Sequence, residues 1–406
     1  MAKIYPFKAF RPTRDKVSLV SSRSYEDYSA AELASQLDFN PLSFLHILNP
    51  AYTNQQKITF ERRFKLVHQK YQDFKEDGIL VQDEKPAIYV HRIRNDKNTY
   101  TGIILTTTIE DYKNDLIKKH EDTLQYRVEL FKDYLKYAGF NTEPVLMSYP
   151  DNDAIDKWLE NKTSQLADFE FATTVKDIHY LWKVDDADEI EFLQKTFDEI
   201  GHLYIADGHH RSASAEMLYD LQVNDKKDSA SKFMSFLIAD SNVKIYEYNR
   251  LIKDLNGLSK EEFIERLSEN FDVEIKTLQL FHPSKKHEFG MYLEEEFYSL
   301  TLKLEKFSFD DALQSLDAQI LYDTVLLPIL GISDLRNDER IDYIPGKKSV
   351  MEIKKIIDSE EFELGFVLFP ANISEIKNIA DANLIMPPKS TYIEPKFRSG
   401  LVVYEL

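Results

Sequence analysis

Apolar and polar positions alternate most regularly at Ile88-Tyr89-Val90 and at Gly102-Ile103-Ile104-Leu105-Thr106. The polar stretch Arg94-Asn95-Asp96-Lys97-Asn98 between them predicts a β-hairpin. Over residues 111–137 the period changes: Ile117, Leu124, Val128, Phe131 and Leu135 repeat at helical spacing and Gly139 supplies a stop, predicting one long helix. Strands are then expected at 144–148 and 169–175, helices at 154–165 and 189–200, and a short buried strand at 203–206. This rhythm is that of an α/β protein with a mixed sheet. The rest predicts a strand at 233–239, a helix at 259–269, strands near 271–277, 289–296 and 298–307, helices near 313–329 and 350–360, and an apolar strand at 366–369. Pro387-Pro388 then breaks the pattern. Before residue 75 the chain reads as mixed loop and helix, with Ser29 capping one helix and a second over 53–74. No repeat and no Gly/Ser-rich hinge marks a boundary. We divide the chain into a core with an N-terminal extension at 1–240 and a second α/β portion at 241–406.

Composition narrows the functional classes. The 406 residues carry 70 acidic and 51 basic side chains, a formal charge of −19 that opposes binding to a nucleic-acid backbone. Cysteine is absent, which excludes disulfides, thiolate metal sites and thiol nucleophiles within this sequence. No cleavable leader and no run of about 18 apolar residues occurs, so a cytoplasmic protein without a membrane partner is expected. Oligomeric state is not legible.

The chemistry concentrates at Ala206-Asp207-Gly208-His209-His210-Arg211, where a buried strand turns into a helix. Gly208 permits the sharp turn. Ala213, Met217 and Leu221 predict the face that pins the helix to the core, with its first amides pointing outward toward an anion. Arg211 in the first helical turn opposes the helix dipole by roughly 0.3 to 1 kcal/mol, and a bound phosphate would offset that cost. His209 and His210 add donors or handle a proton. On a purely structural reading, Asp207 caps the helix, Gly208 makes the turn and both histidines are exposed.

That string, together with Ile117-Lys118-Lys119-His120-Glu121-Asp122-Thr123, Asn40-Pro41-Leu42-Ser43-Phe44-Leu45-His46 and Met386-Pro387-Pro388-Lys389-Ser390-Thr391-Tyr392, resembles the domain-of-unknown-function family 1015 from end to end. Its members are proposed free-serine kinases or their relatives. The turn is similar to the Gly-x-x-Arg turn of the superfamily holding ParB, sulfiredoxin and free-serine kinases. The resemblance therefore implies a ParB/sulfiredoxin-like nucleotide-binding core with large additional α/β elements, and phosphate contacts from Gly208, His209, His210 and Arg211. Sulfiredoxin chemistry is excluded by the missing cysteine.

With that resemblance, Lys118 and Lys119 are candidates to neutralise phosphate charge, and His120 and Glu121 are catalytic candidates, Glu121 as base. Asp207, Glu26 and Asp27 remain alternative bases. Without the resemblance, residues 117–123 read as a solvated helix face. Lys389, Ser390 and Thr391 are possible ligand contacts in a stretch that otherwise closes a sheet, and Arg11 and Arg14 read more readily as surface residues. The expected reaction is phosphoryl transfer from ATP or ADP to a small hydroxy amino acid, free L-serine giving O-phosphoserine, with Mg2+ held by Asp207. The alternative is a non-catalytic nucleotide or phosphometabolite-binding regulator linked to serine metabolism. No Walker A, Gly-x-Gly-x-x-Gly or His-Glu-x-x-His pattern occurs.

Overall fold

A computed structural model describes residues 1–50, 58–222, 228–277 and 280–406, so the start of the helix expected at 53–74 lies outside them. The chain divides into two units: Met1–Lys119, Thr123–Val243 and Pro395–Leu406 form one, and His120–Asp122 with Lys244–Glu394 the other. Each has its own sheet, and the protein is a mixed α/β structure. Among the described residues no helix is long and apolar enough to cross a membrane.

In the first unit, nine strands form one mixed sheet. Its order is Ile117–Lys118, Leu203–Asp207, Val145–Tyr149, Lys232–Ala239, Thr99–Thr108, Ile88–Arg94, Ile178–Val184 and Phe169–Ala172, with Ile4–Tyr5 beside Thr99–Thr108. The central strands are buried because both faces are covered; Val145, Met147, Ile103, Leu105, Phe233 and Leu237 pack in one apolar core. The expected hairpin forms, with the Asn95 amide donating to the Asn98 carbonyl at its turn. Gly102 carries no side chain because a Cβ there would lie 2.3 Å from the Phe236 ring across the ladder. Leu203–Asp207 runs parallel to Ile117–Lys118 and antiparallel to Val145–Tyr149, and the second pairing shifts register between Ile205 and Asp207.

The long helix expected over 111–137 is two helices separated by a strand: Ile109–Lys113, then Ile117–Lys118, then Gln125–Ala138. Asp115 adopts φ 60°, which ends the first helix, and Ile117 is fully buried by pairing with Leu203. Tertiary strand pairing thus overrides a local helical period. Ser29 caps Ala30–Phe39 as expected, through a reciprocal box with Glu32, and Thr59 caps Phe60–Glu76.

The second unit has an antiparallel sheet in the order Phe271–Ile275, Glu296–Leu302, Glu288–Leu293, Leu364–Val367, Lys244–Ile252 and Ile341–Pro345, with Thr391–Glu394 on the first half of Lys244–Ile252. The helix expected near 313–329 is shorter, Asp317–Leu321, and runs on into a π-helical turn at Tyr322–Leu326. Several elements escape the sequence pattern, among them two strands and a short helix of these units. Lys244–Ile252 buries Glu247, Asn249 and Arg250, Ile178–Val184 buries His179, and Ile373–Asp381 is a short helix capped by Asn372. Buried polar residues erased the alternation that would have betrayed the two strands.

Candidate functional site

The turn after Leu203–Asp207 is built as the sequence implies, by a left-handed glycine. Gly208 has φ 102° and stands at the N-cap of His209–Leu221, and a Cβ on it would lie 3.3 Å from the Val145 Cα. The register shift before Asp207 turns that carboxylate out of the ladder at the strand's end. The Arg211 and Ser212 amides both donate to the Gly208 carbonyl, at 2.9 and 3.1 Å.

Arg211 is held by the protein's own groups. Its Nη2 donates to Asp207 Oδ2 at 2.9 Å, and its Nη1 donates to the Pro144 carbonyl. The cation in the first helical turn is therefore offset by a carboxylate four residues earlier, which corrects the expectation that an external phosphate must do so. Asp207 consequently does not cap the helix. Its other oxygen, Oδ1, accepts from Lys396 Nζ at 3.0 Å. Desolvation pushes the Asp207 pKa up, but the charges of Lys396 and Arg211 outweigh it and hold the carboxyl down at about 2. Two cations thus flank the one carboxylate.

Both Asp207 oxygens are thus in ion pairs, and among the described residues no group of three His, Asp or Glu side chains could hold a metal. The donor set here does not fit the Mg2+ expected on Asp207.

The histidines occupy different surroundings from those expected. His209 is 3% exposed, so it is not a surface donor. His210 Nε2 accepts the Leu124 amide at 3.0 Å. The expected buried face, Ala213, Met217 and Leu221, is also displaced: Leu221 is 64% exposed, and the buried positions are Ser212, Ser214, Ala215 and Leu218. Small residues let this helix lie close to Gln125–Ala138 and to Tyr112, whose hydroxyl is hydrogen-bonded to Ser212.

Lys118 pairs with Asp115, and Lys119 sits with its Nζ 5.2 Å from the Tyr112 ring centroid. His120, Glu121 and Asp122 belong to the second unit. There the His120 carbonyl accepts the Met386 amide at 2.9 Å, and Asp122 accepts from Arg336 at 3.2 Å. Residues 117–123 are therefore a strand edge and a loop rather than a helix face. Lys389, Ser390 and Thr391 also lie in the second unit. Lys389 Nζ is 5.0 Å from the Tyr248 ring, Ser390 donates to the Pro387 carbonyl at 2.7 Å, and Thr391 opens the strand opposite Glu247. Arg11 is no surface residue: it grips Asp83 through two bonds, at 2.8 and 2.6 Å. Arg14 and Asp27 are exposed, and the side chain of Glu26 lies outside the described residues.

Lys396 is the residue that sequence reasoning missed. It lies 189 positions from its partner Asp207, and no local pattern joins the two.

A family model described as protein of unknown function (DUF1015) matches residues 4–319. The chain belongs to this family. Solved structures similar to this DUF1015 protein include a free serine kinase in complex with AMP, at 15% identity, 72% of this chain, 88% of that chain and a TM-score of 0.37. A conserved hypothetical protein from Pyrococcus furiosus matches at 15% identity, 72% and 91% coverage and a TM-score of 0.36. SbnI with a C-terminal truncation, from Staphylococcus aureus, matches at 11% identity, 73% and 84% coverage and a TM-score of 0.39. A search of curated proteins finds no match for this DUF1015 protein.

Proposed function

We propose that this DUF1015 protein binds the phosphates of ATP or ADP at the turn of residues 207–211 and transfers a phosphoryl group to the hydroxyl of free L-serine. The observation that carries the reading is the pairing of two cations, Arg211 and Lys396, with the single carboxylate of Asp207 at a helix start. The two cations and the helix dipole both favour an anion at the same place. Phosphoryl transfer asks chiefly for positioning and charge neutralisation, which such a turn supplies.

In the reaction, the serine oxygen attacks the terminal phosphorus, the bond to the leaving nucleotide oxygen breaks, and the hydroxyl proton passes to a carboxylate. Glu121 is our assignment for that base and Lys119 our assignment for offsetting charge. Purified protein incubated with ATP or ADP and L-serine should yield O-phosphoserine, detected by mass spectrometry, and Glu121→Gln should abolish it while nucleotide binding persists. Absence of product with every hydroxy amino acid tried would end the kinase reading.

A second reading has one observation in its favour. Arg211 and Asp207 are closed on each other, and a protein that only binds phosphates could keep that pair as its resting state. Saturable nucleotide binding without turnover, unchanged by Glu121→Gln, would establish a regulator in place of an enzyme.

A further inference from the structure

The segment Pro395–Leu406 belongs to the first unit and carries Lys396 to the turn. The Lys396 side chain is 36% exposed, and an ion pair that open to water holds a flexible lysine only weakly. Its place is fixed instead by the backbone that bears it. Buried Pro395, Phe397 and Ser399 alternate with the less buried Lys396 and Arg398, the period of an extended segment laid on the unit.

Each of the four residues after Lys396 is fastened separately. The Phe397 ring packs on Phe236 with centroids 4.8 Å apart. Arg398 donates through Nε to Ser21 Oγ at 3.1 Å and through Nη2 to the Ser21 carbonyl. Ser399 exchanges backbone bonds with Ser22, at 2.8 and 3.1 Å, and its hydroxyl donates to Glu143 Oε1 at 2.7 Å. The Gly400 amide donates to Thr142 Oγ1 at 2.6 Å. Among the described residues no carboxylate forms an ion pair with Arg398, and burial holds its pKa below the usual arginine value. A guanidinium withdrawn from water on those terms is costly, and what it secures is the attachment to Ser21.

Residues 142–144 serve both cations of the turn. Thr142 and Glu143 hold the segment that carries Lys396, while the Pro144 carbonyl accepts from Arg211. One short loop between Phe140–Asn141 and Val145–Tyr149 therefore sets the spacing of Lys396 and Arg211.

We propose that Arg398 is a positioning residue of the nucleotide site: with the bonds of Ser399 and Gly400 it fixes the backbone so that Lys396 stands beside Asp207 and meets the same phosphates as Arg211. Its ligand rests on the nucleotide reading of the turn; its geometry does not.

The test uses the full chain and two readouts. Without nucleotide, the Asp207 carboxyl carbon resonance is followed from pH 6 to 3. The parent carboxyl, held at about 2, should stay ionised throughout, and Lys396→Ala should raise its midpoint. Arg398→Gln, which does not touch Asp207, should raise it in the same direction. With ADP, calorimetry should show about tenfold weaker binding for Lys396→Ala, the loss of one charge-assisted bond, and part of that loss for Arg398→Gln. The double variant should bind no more weakly than Lys396→Ala alone, because Arg398 acts through Lys396. An Asp207 titration unaltered by Arg398→Gln, or an Arg398→Gln penalty that persists in full without Lys396, would overturn the proposal. Should the parent bind no nucleotide, the nucleotide reading fails and the Asp207 titration still decides the positioning. Should Arg398→Gln fail to fold, Ser399→Ala, which removes the bond to Glu143, takes its place in both readouts.

Discussion

Asp207 and Arg211 close on each other across one helical turn, Oδ2 to Nη2 at 2.9 Å, and so the anion that neutralises the helix start is part of the chain itself. A phosphate arriving at the turn competes with that carboxylate for Arg211 and Lys396. Replacing Asp207 by Asn should therefore tighten nucleotide binding about fivefold, on the order of 1 kcal/mol for removing one partly exposed like charge. Isothermal titration calorimetry at low ionic strength reads this directly. Weaker binding in Asp207→Asn would mean that the carboxylate helps the ligand rather than excluding it.

The same carboxylate sets part of the acid limb of stability. Its pKa is lowered to about 2 in the folded protein, so its ion pairs contribute fully above the unfolded value of 3.8 and are lost as pH falls through about 2. The contribution is roughly 2 kcal/mol, given that the side chain is 30% exposed. Urea unfolding of Asp207→Asn between pH 5 and 2 should show a shallower fall in stability than the parent protein.

Acid also acts on the buried histidines. Burial lowers the pKa of His91 to about 3, and burial, His91 and Arg398 together lower that of His179. Both rings stay neutral in the folded protein below pH 6.5, while the unfolded chain takes up protons. Stability therefore falls as pH drops below 6.5, with His91 contributing down to about 3 and His179 acting in the same direction. The double variant H91F/H179F should remove that slope; a slope retained in full would assign it to other groups.

Two glycines should be intolerant for different reasons. Gly208→Ala places a Cβ in a backbone at φ 102° and 3.3 Å from the Val145 Cα, which should cost about 1 to 2 kcal/mol and loosen nucleotide binding. Gly102→Ala has an ordinary backbone, but its Cβ would meet the Phe236 ring at 2.3 Å and the Leu237 carbonyl at 2.6 Å. About 3 kcal/mol or more is expected, with no specific effect on the turn. Chemical denaturation and nucleotide titration of both variants separate the two outcomes.

Local pattern alone determined much of the framework. The hairpin of Ile88–Arg94 and Thr99–Thr108, the capped helix Ala30–Phe39, the buried strand Leu203–Asp207 and the glycine turn at Gly208 were legible because each depends on neighbours within a few residues. Periodicity, capping and backbone freedom are properties of short segments. What the turn's charges do was decided only in three dimensions. Lys396 reaches Asp207 from 189 positions away, Pro144 takes Arg211, and pairing with Leu203 converts Ile117 from a helical position to a strand. Partners so distant in sequence leave no local trace, because the energy of an ion pair or a strand ladder depends on separation in space.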